Sequence, residues 1–179
     1  MTSMNDGAVE TRYPFAASGT RPGDLDPGVA WFMIQVRSLT PTQFNNLLNH
    51  ESGLFDVSET SSDMHDLFDR ETQDVRAAEA AALFCYQAKK WIGSFAAALG
   101  GLDTLVFAGG IGENAPVVRT RICDGLEFLG IELEEKRNAA NERVISPSTG
   151  RVAVRVIRTD EELMIARSVL RCRAVTIAG

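Results

Sequence analysis

Residues 105–114 read Leu-Val-Phe-Ala-Gly-Gly-Ile-Gly-Glu-Asn, and the rest of the chain is organised around this stretch. Four apolar residues run into three glycines, and Pro116 then opens a helical pattern. This order predicts a strand, a tight turn and a helix that begins near Pro116. Gly109, Gly110 and Gly112 can adopt positive φ and let backbone N–H groups approach a phosphate. A turn that merely connects strand and helix has the same composition, so the glycines alone leave both interpretations open.

Composition limits the class of protein. The chain has 179 residues, is 45% apolar and carries a formal net charge of -6, which suits one globular domain with a sizeable core. Lys and Arg are spread along the sequence, which disfavours nucleic acid or an anionic membrane as partner. The sequence has no membrane-length apolar run and no signal-peptide pattern, so we expect a cytoplasmic location. Cys85, Cys123 and Cys172 are expected to be buried thiols.

A second strand is predicted over residues 152–157 and is followed by another helix. Strand, helix, strand, helix is the order of a parallel crossover, which is expected to be right-handed. Ligands bind beyond the carboxyl ends of parallel strands, so residues 109–114 and 158–162 should face one cleft. Glu161 and Glu162 can be read either as acids favoured by a helix N-terminus or as ligands of a metal ion.

The other elements are predicted to be mostly helical. Residues 27–36 are nearly all apolar, so this helix is expected to be buried on most sides. The longest helix is predicted over residues 74–99, and its aromatic stripe is either core or a partner surface. The remaining predicted features are, in chain order, a capping box over residues 40–43 with its helix, a helix over 116–130, a charged connection over 132–142 and a second capping box over 159–162.

Two polar loops contain candidate ligand-binding groups. Arg21 precedes Pro22, so its guanidinium lies on stiff backbone suited to a phosphate or carboxylate clamp, although the loop can also be a plain surface turn. Asp24 and Asp26 are turn and cap residues in one interpretation and metal ligands in the other. Asp63 is either a helix N-cap or an acceptor for ribose hydroxyls, and His65 could lie along a nucleotide.

These motifs together resemble the acetate and propionate kinase family, which belongs to the superfamily of sugar kinases, Hsp70 and actin. The resemblance covers roughly residues 18–172. It is carried by Gly-Thr-Arg-Pro-Gly-Asp at 19–24, Ser-Asp-Met-His-Asp-Leu at 62–67, Gly-Gly-Ile-Gly-Glu-Asn at 109–114 and Thr-Asp-Glu-Glu at 159–162. It implies an α/β fold, an incomplete ribonuclease H-like domain that is helix-rich with a parallel strand pair. The implied division is a poorly matched arm over 1–18, a C-terminal nucleotide-binding domain over 19–173 and a tail over 174–179.

The resemblance implies that ATP and acetate give ADP and acetyl phosphate, reversibly and with Mg²⁺. Arg21 would steady the phosphoryl group in flight, and Glu161 would bind the magnesium ion. Asp63 would contact the ribose. The remaining residues implied at the nucleotide are Met64, His65, Gly110, Ile111, Gly112, Glu113, Asn114 and Val118. The implied partners are the nucleotide, acetate or another short-chain carboxylate, and a second copy in a homodimer.

Two departures from the family pattern shape the expectations. His65 stands where the family usually has arginine, so a permanent cation is replaced by a side chain whose charge depends on pH. The resemblance also covers only about the second half of a family member, so we expect no acetate-dependent ATP turnover from this chain alone. A non-catalytic nucleotide-binding or dimerisation module and a kinase for propionate or butyrate remain the alternatives.

Overall fold

The computed structural model describes residues 19–21, 25–160, 163, 164 and 169. The chain divides into two compact units, residues 1–95 and 96–179. The expected arm over 1–18 and tail over 174–179 lie outside the described residues, as does Cys172. Within the described ranges, no helix is long and apolar enough to cross a membrane.

The first unit is helical as far as the structure describes it. Most of its helices start at polar caps: Asp26 accepts from the Gly28 N–H (2.6 Å), and Thr40 forms the predicted capping box with Gln43. The final long helix starts after Asp74, whose Oδ1 accepts from the Arg76 N–H (2.9 Å). The helices are α1 (Pro27–Gln35), α2 (Pro41–His50), α3 (Leu54–Ser58), α4 (Met64–Arg70) and α5 (Val75–Leu99), the last of which crosses the unit boundary.

The expected burial of the first helix is wrong. Met33 is the one buried residue of α1, while Trp31 is 67% exposed and the adjoining Val36 is 64% exposed. The helix is apolar on all sides but packs against α2 along one of them, so the other sides stay open. The stripe of α5 is also partly open, since Trp91 and Phe95 are 41% and 58% exposed and stack on each other. These two residues are therefore surface and not core.

The second unit contains the predicted parallel strand pair. Strand β1 (Thr104–Phe107) pairs in parallel with β2 (Ala153–Val156), with Thr104 opposite Ala153 and Phe107 opposite Val156. Val144 forms an antiparallel bridge to Arg155 on β2. The buried side chains around the pair are Val118, Ile122, Cys123, Leu126, Ile131, Ile145, Val152 and Val154. The predicted pairing of strands 105–108 and 152–157 is confirmed with slightly shorter bounds.

Three helix predictions in this unit need correction. The predicted tight turn at the glycines is wrong, because residues Gly109–Asn114 form helix α6, whereas the helix predicted to begin near Pro116 is confirmed as α7 (Pro116–Cys123), which follows after Ala115. The helix predicted over 116–130 ends at Cys123, because Asp124 has a ψ of 127° and Gly125 has a φ of 75°, and a 3₁₀ turn over Glu127–Leu129 follows. The charged connection contains a further helix, α8 (Glu135–Ala139). Cys85 and Cys123 are buried thiols, as predicted.

Candidate functional site

The glycine segment, defined as Gly109–Asn114, needs its glycines for two different reasons. Gly109 has φ of +75°, whereas Gly110 and Gly112 are not among the residues with positive φ. A Cβ on Gly112 would lie 3.3 Å from the carbonyl carbon of Phe107, so Gly112 allows α6 to pack closely on β1. A Cβ on Gly110 would meet no atom within 4 Å. The expectation of backbone freedom at all three glycines therefore holds for Gly109 alone.

Glu113 links the carboxyl ends of the two strands. Its Oε1 accepts from the N–H of Gly109 (2.9 Å), which follows β1, and from the N–H and Oγ1 of Thr159 (2.8 and 2.9 Å), which follows β2. The backbone bond from Thr159 is the largest of several interactions that lower the pKa of Glu113, and the nearby positive charge of Arg158 acts in the same direction. The predicted meeting of the two strand ends is confirmed for these residues.

Thr159 contributes to this link and is not the cap of the final helix. Asp160 Oδ1 accepts from the Leu163 N–H (2.9 Å), which is the side-chain bond expected of an N-cap. The predicted capping box is therefore wrong, because the N-cap is Asp160 and Leu163 at the N3 position has no polar side chain to complete a box. The Thr159 hydroxyl is left for Glu113, and the segment after β2 is anchored to the glycine segment.

A buried arginine, which the sequence analysis did not identify, holds the other end of the glycine segment. Arg119 is 0% exposed and donates through Nη1 to the carbonyls of Gly112 (2.7 Å) and Glu113 (3.1 Å). Its Nε and Nη2 bind Oδ1 and the carbonyl of Asn138 (2.7 and 2.8 Å), and Nη2 also reaches Asn141 Oδ1 (2.5 Å). The guanidinium thus joins α6 to α8 and to the turn after it.

The acceptors of Arg119 are carbonyl and amide oxygens. Burial lowers the pKa of its guanidinium, and the partial negative charge at the carboxyl end of α6 offsets part of the desolvation cost. A sequence signal for this residue does exist. Ala115, Ile122 and Leu126 form the apolar stripe of this region, and Arg119 lies on the same stripe at helical spacing.

The glycine segment borders a cleft in the second unit with a volume of about 910 Å³. Two of the predicted nucleotide residues, Glu113 and Asn114, lie in its wall. The other lining residues are Asn141, Arg143, Val144, Arg155, Val156, Ile157 and Arg158. The wall thus combines three guanidinium groups with one carboxylate and several apolar side chains.

The predicted residues of the first unit lie near the start of the described chain and at α4. Arg21 is exposed, and its segment is held because the carbonyl of Gly19 accepts from the Phe55 N–H (3.0 Å). Asp63 Oδ1 accepts from the His65 N–H (2.8 Å), so the N-cap interpretation is confirmed, whereas the ribose contact stays a prediction. His65 is exposed and available to a ligand.

Two predicted site residues have buried side chains, and a third lies outside the described residues. Met64 is 2% exposed and Val118 is 1% exposed, so both side chains are core residues of their units and the proposed contact of Val118 with adenine stays a prediction. Glu161 lies outside the described residues. In the part of the chain that is described, no group of three or more His, Cys, Asp or Glu side chains could hold a metal ion.

Comparison with known proteins gives consistent matches. A family model described as the acetokinase family matches residues 14–167. The acetate kinase of Coprothermobacter proteolyticus is 46% identical over 152 residues, and the match covers 83% of this chain and 38% of that protein. The propionate kinase of Citrobacter rodentium is 46% identical over 170 residues, and the match covers 94% of this chain and 42% of that protein.

Solved structures give the same result. The acetate kinase of Porphyromonas gingivalis superposes with a TM-score of 0.79 and 39% identity, covering 88% of this chain and 41% of that one. The acetate kinase of Entamoeba histolytica superposes with a TM-score of 0.78 and 34% identity, covering 87% of this chain and 42% of that one. The chain therefore spans about two-fifths of the length of these relatives.

Proposed function

The chain belongs to the acetokinase family, and we propose that it forms the nucleotide-binding part of an acetate kinase-like phosphotransferase. The proposed reaction is ATP plus acetate to ADP plus acetyl phosphate, in either direction. The observation that carries the proposal is the link made by Glu113, which joins the glycine segment after β1 to Thr159 after β2. The carboxyl ends of parallel strands are where α/β folds bind their ligands.

In this proposal the residues of the chain position the nucleotide and stabilise the negative charge of the phosphoryl group during transfer. Phosphoryl transfer passes through a state in which charge is spread over three equatorial oxygens, and a guanidinium stabilises that state. We assign this role to Arg21, whose exposure leaves its side chain accessible to a ligand. Asp63 and His65 are assigned to the nucleoside, and the glycine segment is assigned to the adenosine and phosphate groups.

Magnesium is part of the proposal, with Glu161 as its ligand. The described residues do not by themselves offer a set of carboxylates for such an ion. A magnesium ion bound with the nucleotide would neutralise phosphate charge. Glu161 and the nucleotide phosphates would hold the cation.

Propionate is the second candidate for the acyl substrate. Relatives named propionate kinase and acetate kinase are equally similar to this chain, at 46% identity each. Identity therefore favours neither acid. We further propose a cytoplasmic protein that forms a homodimer, in which the exposed stacked rings of Trp91 and Phe95 on α5 would contact the second copy.

Two measurements on the purified chain test the proposal. Calorimetric titration with ADP and Mg²⁺ should show binding, and detection of acetyl phosphate as its hydroxamate should show no acetate-dependent turnover above background. Arg21→Ala should leave ADP binding nearly unchanged, because Arg21 is assigned to the phosphoryl group in transfer and not to ADP. Arg70→Ala, which removes an exposed arginine of α4, is the control.

The outcomes separate the alternatives. Absence of ADP binding would contradict the nucleotide-binding proposal. Acetyl phosphate formed by this chain alone, and lost in Arg21→Ala but kept in Arg70→Ala, would show that the chain is active without the rest of the family's length. Binding without turnover, together with a copurifying partner, would favour a regulatory module.

A further inference from the structure

The cleft beside the glycine segment contains more positive charge than the described structure neutralises. Arg143, Arg155 and Arg158 line it together, and the one acidic side chain in its wall is Glu113. The lining therefore has a formal charge of about +2 from three guanidinium groups and one carboxylate. Held in one concavity, the like charges raise the local positive potential, and a bound anion would lower the resulting repulsion.

These guanidinium groups are not used inside the described structure. The residues described show no hydrogen bond or ion pair from the side chain of Arg143 or Arg155, and for Arg158 they show only a long-range attraction to Glu113. Glu113 is engaged elsewhere, because its Oε1 already accepts three hydrogen bonds from Gly109 and Thr159. The carboxylate is thus a weak internal partner for the arginines.

The backbone under each arginine is fixed. The Arg143 carbonyl accepts from the Val156 N–H (3.1 Å), and Arg155 lies within β2 opposite Val144. Both neighbours of Arg158 in the chain are held by hydrogen bonds: the Ile157 N–H donates to the Phe107 carbonyl (2.9 Å), and the Thr159 N–H donates to Glu113 Oε1. Because the sheet holds these positions before any ligand arrives, binding would order side chains but not backbone.

The rest of the lining suits an organic group joined to the anion. Val144 and Ile157 supply apolar surface, and Asn141 has its Oδ1 engaged by Arg119, which leaves its amide N–H groups to donate. The volume of about 910 Å³ is within the range of small-molecule sites and is much larger than an inorganic phosphate needs.

We propose that this cleft binds a small organic phosphate monoester, with its phosphate on Arg143, Arg155 and Arg158 and its organic part against Val144 and Ile157. Guanidinium groups pair with phosphate oxygens through two parallel hydrogen bonds, and a phosphate dianion matches the excess charge of the lining. Glu113 and Asn114 in the same wall are assigned to the nucleotide, but the three arginines are not, so a phosphate site on the arginines lies beside the proposed nucleotide site and goes beyond the proposed function.

The test is calorimetric titration of the full chain with phenyl phosphate and with inorganic phosphate. Phenyl phosphate should bind more tightly than inorganic phosphate, and its affinity should fall as salt is raised. Arg143→Gln and Arg155→Gln should each weaken phenyl phosphate binding about ten-fold, the loss expected for one charge-assisted hydrogen bond. Arg155→Lys, which keeps the charge but loses the paired geometry, should weaken it less than Arg155→Gln.

The matched control is Arg70→Gln, which removes the same charge from an exposed position on α4 and should leave the affinity unchanged. Circular dichroism establishes that each variant is folded. Absence of phenyl phosphate binding, equal affinity for inorganic phosphate, or equal weakening in Arg70→Gln would each overturn the proposal. ADP binding is measured on the same variants, and its loss in parallel with phenyl phosphate binding would also overturn it, because the arginines would then serve the nucleotide.

Discussion

Arg119 and Trp91 differ in a way that contrasts two regions of this chain: the charged side chain is buried, and the aromatic side chain is exposed. In the strand-containing unit, a charged side chain is fully buried, and every arm of its guanidinium has an acceptor. On α5, a large aromatic side chain is 41% exposed beside an even more exposed Phe95. At Arg119 the described chain supplies acceptors for a buried polar group, whereas on the long helix it leaves apolar surface exposed.

The largest effect is expected from removing the buried arginine. Arg119→Met would leave the carbonyls of Gly112 and Glu113 and the amide of Asn138 without their donor. Orphaned buried groups of this kind should lower the free energy of unfolding by about 3 kcal/mol or more. Urea denaturation followed by circular dichroism measures it, with Arg70→Met as control. If Arg119→Met lowers the free energy of unfolding no more than Arg70→Met does, the hydrogen bonds of Arg119 to the glycine segment do not stabilise the fold.

A smaller effect on stability is expected from alanine substitutions in the glycine segment, and it should differ between Gly112 and Gly110. Gly112→Ala places a Cβ against the backbone of Phe107 and should cost about 1–3 kcal/mol by overpacking α6 on β1. Gly110→Ala enters open space and should cost little or even stabilise the helix. Thermal melting of both variants measures the difference. Equal melting temperatures would contradict the close packing of α6 on β1.

The link between the strand ends should make stability depend on pH. The pKa of Glu113 is lowered chiefly by its bond from Thr159, so the folded state binds this proton more weakly than the unfolded chain does. The resulting stabilisation is complete above the ordinary glutamate pKa and is lost as the pH falls below it, through the lowered value. The free energy of unfolding, measured by denaturation at several pH values from 7 to acid pH, should therefore decline less for Glu113→Gln than for the parent chain.

Glu132→Gln is the matched control for this pH series. The Glu132 side chain is exposed and has no hydrogen bond to the described residues. The free energy of unfolding of this variant should therefore fall with pH as that of the parent chain does. Parallel curves for the parent chain and both variants would show that the carboxylate bridge between the strand ends adds nothing to stability.

The smallest effect on stability is expected on α5. Trp91→Ser and Phe95→Ser remove exposed rings, so the free energy of unfolding should change by about 0.5 kcal/mol or less. Self-association measured by sedimentation equilibrium should nevertheless fall if these rings contact a second copy. Phe128→Ser, which removes a 75% exposed ring from the 3₁₀ turn, is the control. Association that is unchanged in the α5 variants would remove these rings from the proposed dimer contact.

The sequence by itself determined the two strands, several helix starts and the family. The apolar runs gave both strands and their parallel order, the capping residues Thr40 and Asp63 marked helix starts, and the ordered motifs identified the family confirmed by comparison. These features are readable because each depends on residues close together in the chain.

Tertiary structure decided the rest. That Gly112 is needed for contact with Phe107, that Thr159 bonds to Glu113 46 positions away, and that an arginine lies in the core are all consequences of long-range packing. Hydrophobic periodicity predicts which side of a helix is apolar but not whether a neighbour covers it, which is why the burial of α1 was wrongly predicted. Burial depends on what lies opposite, and only the folded chain places those groups.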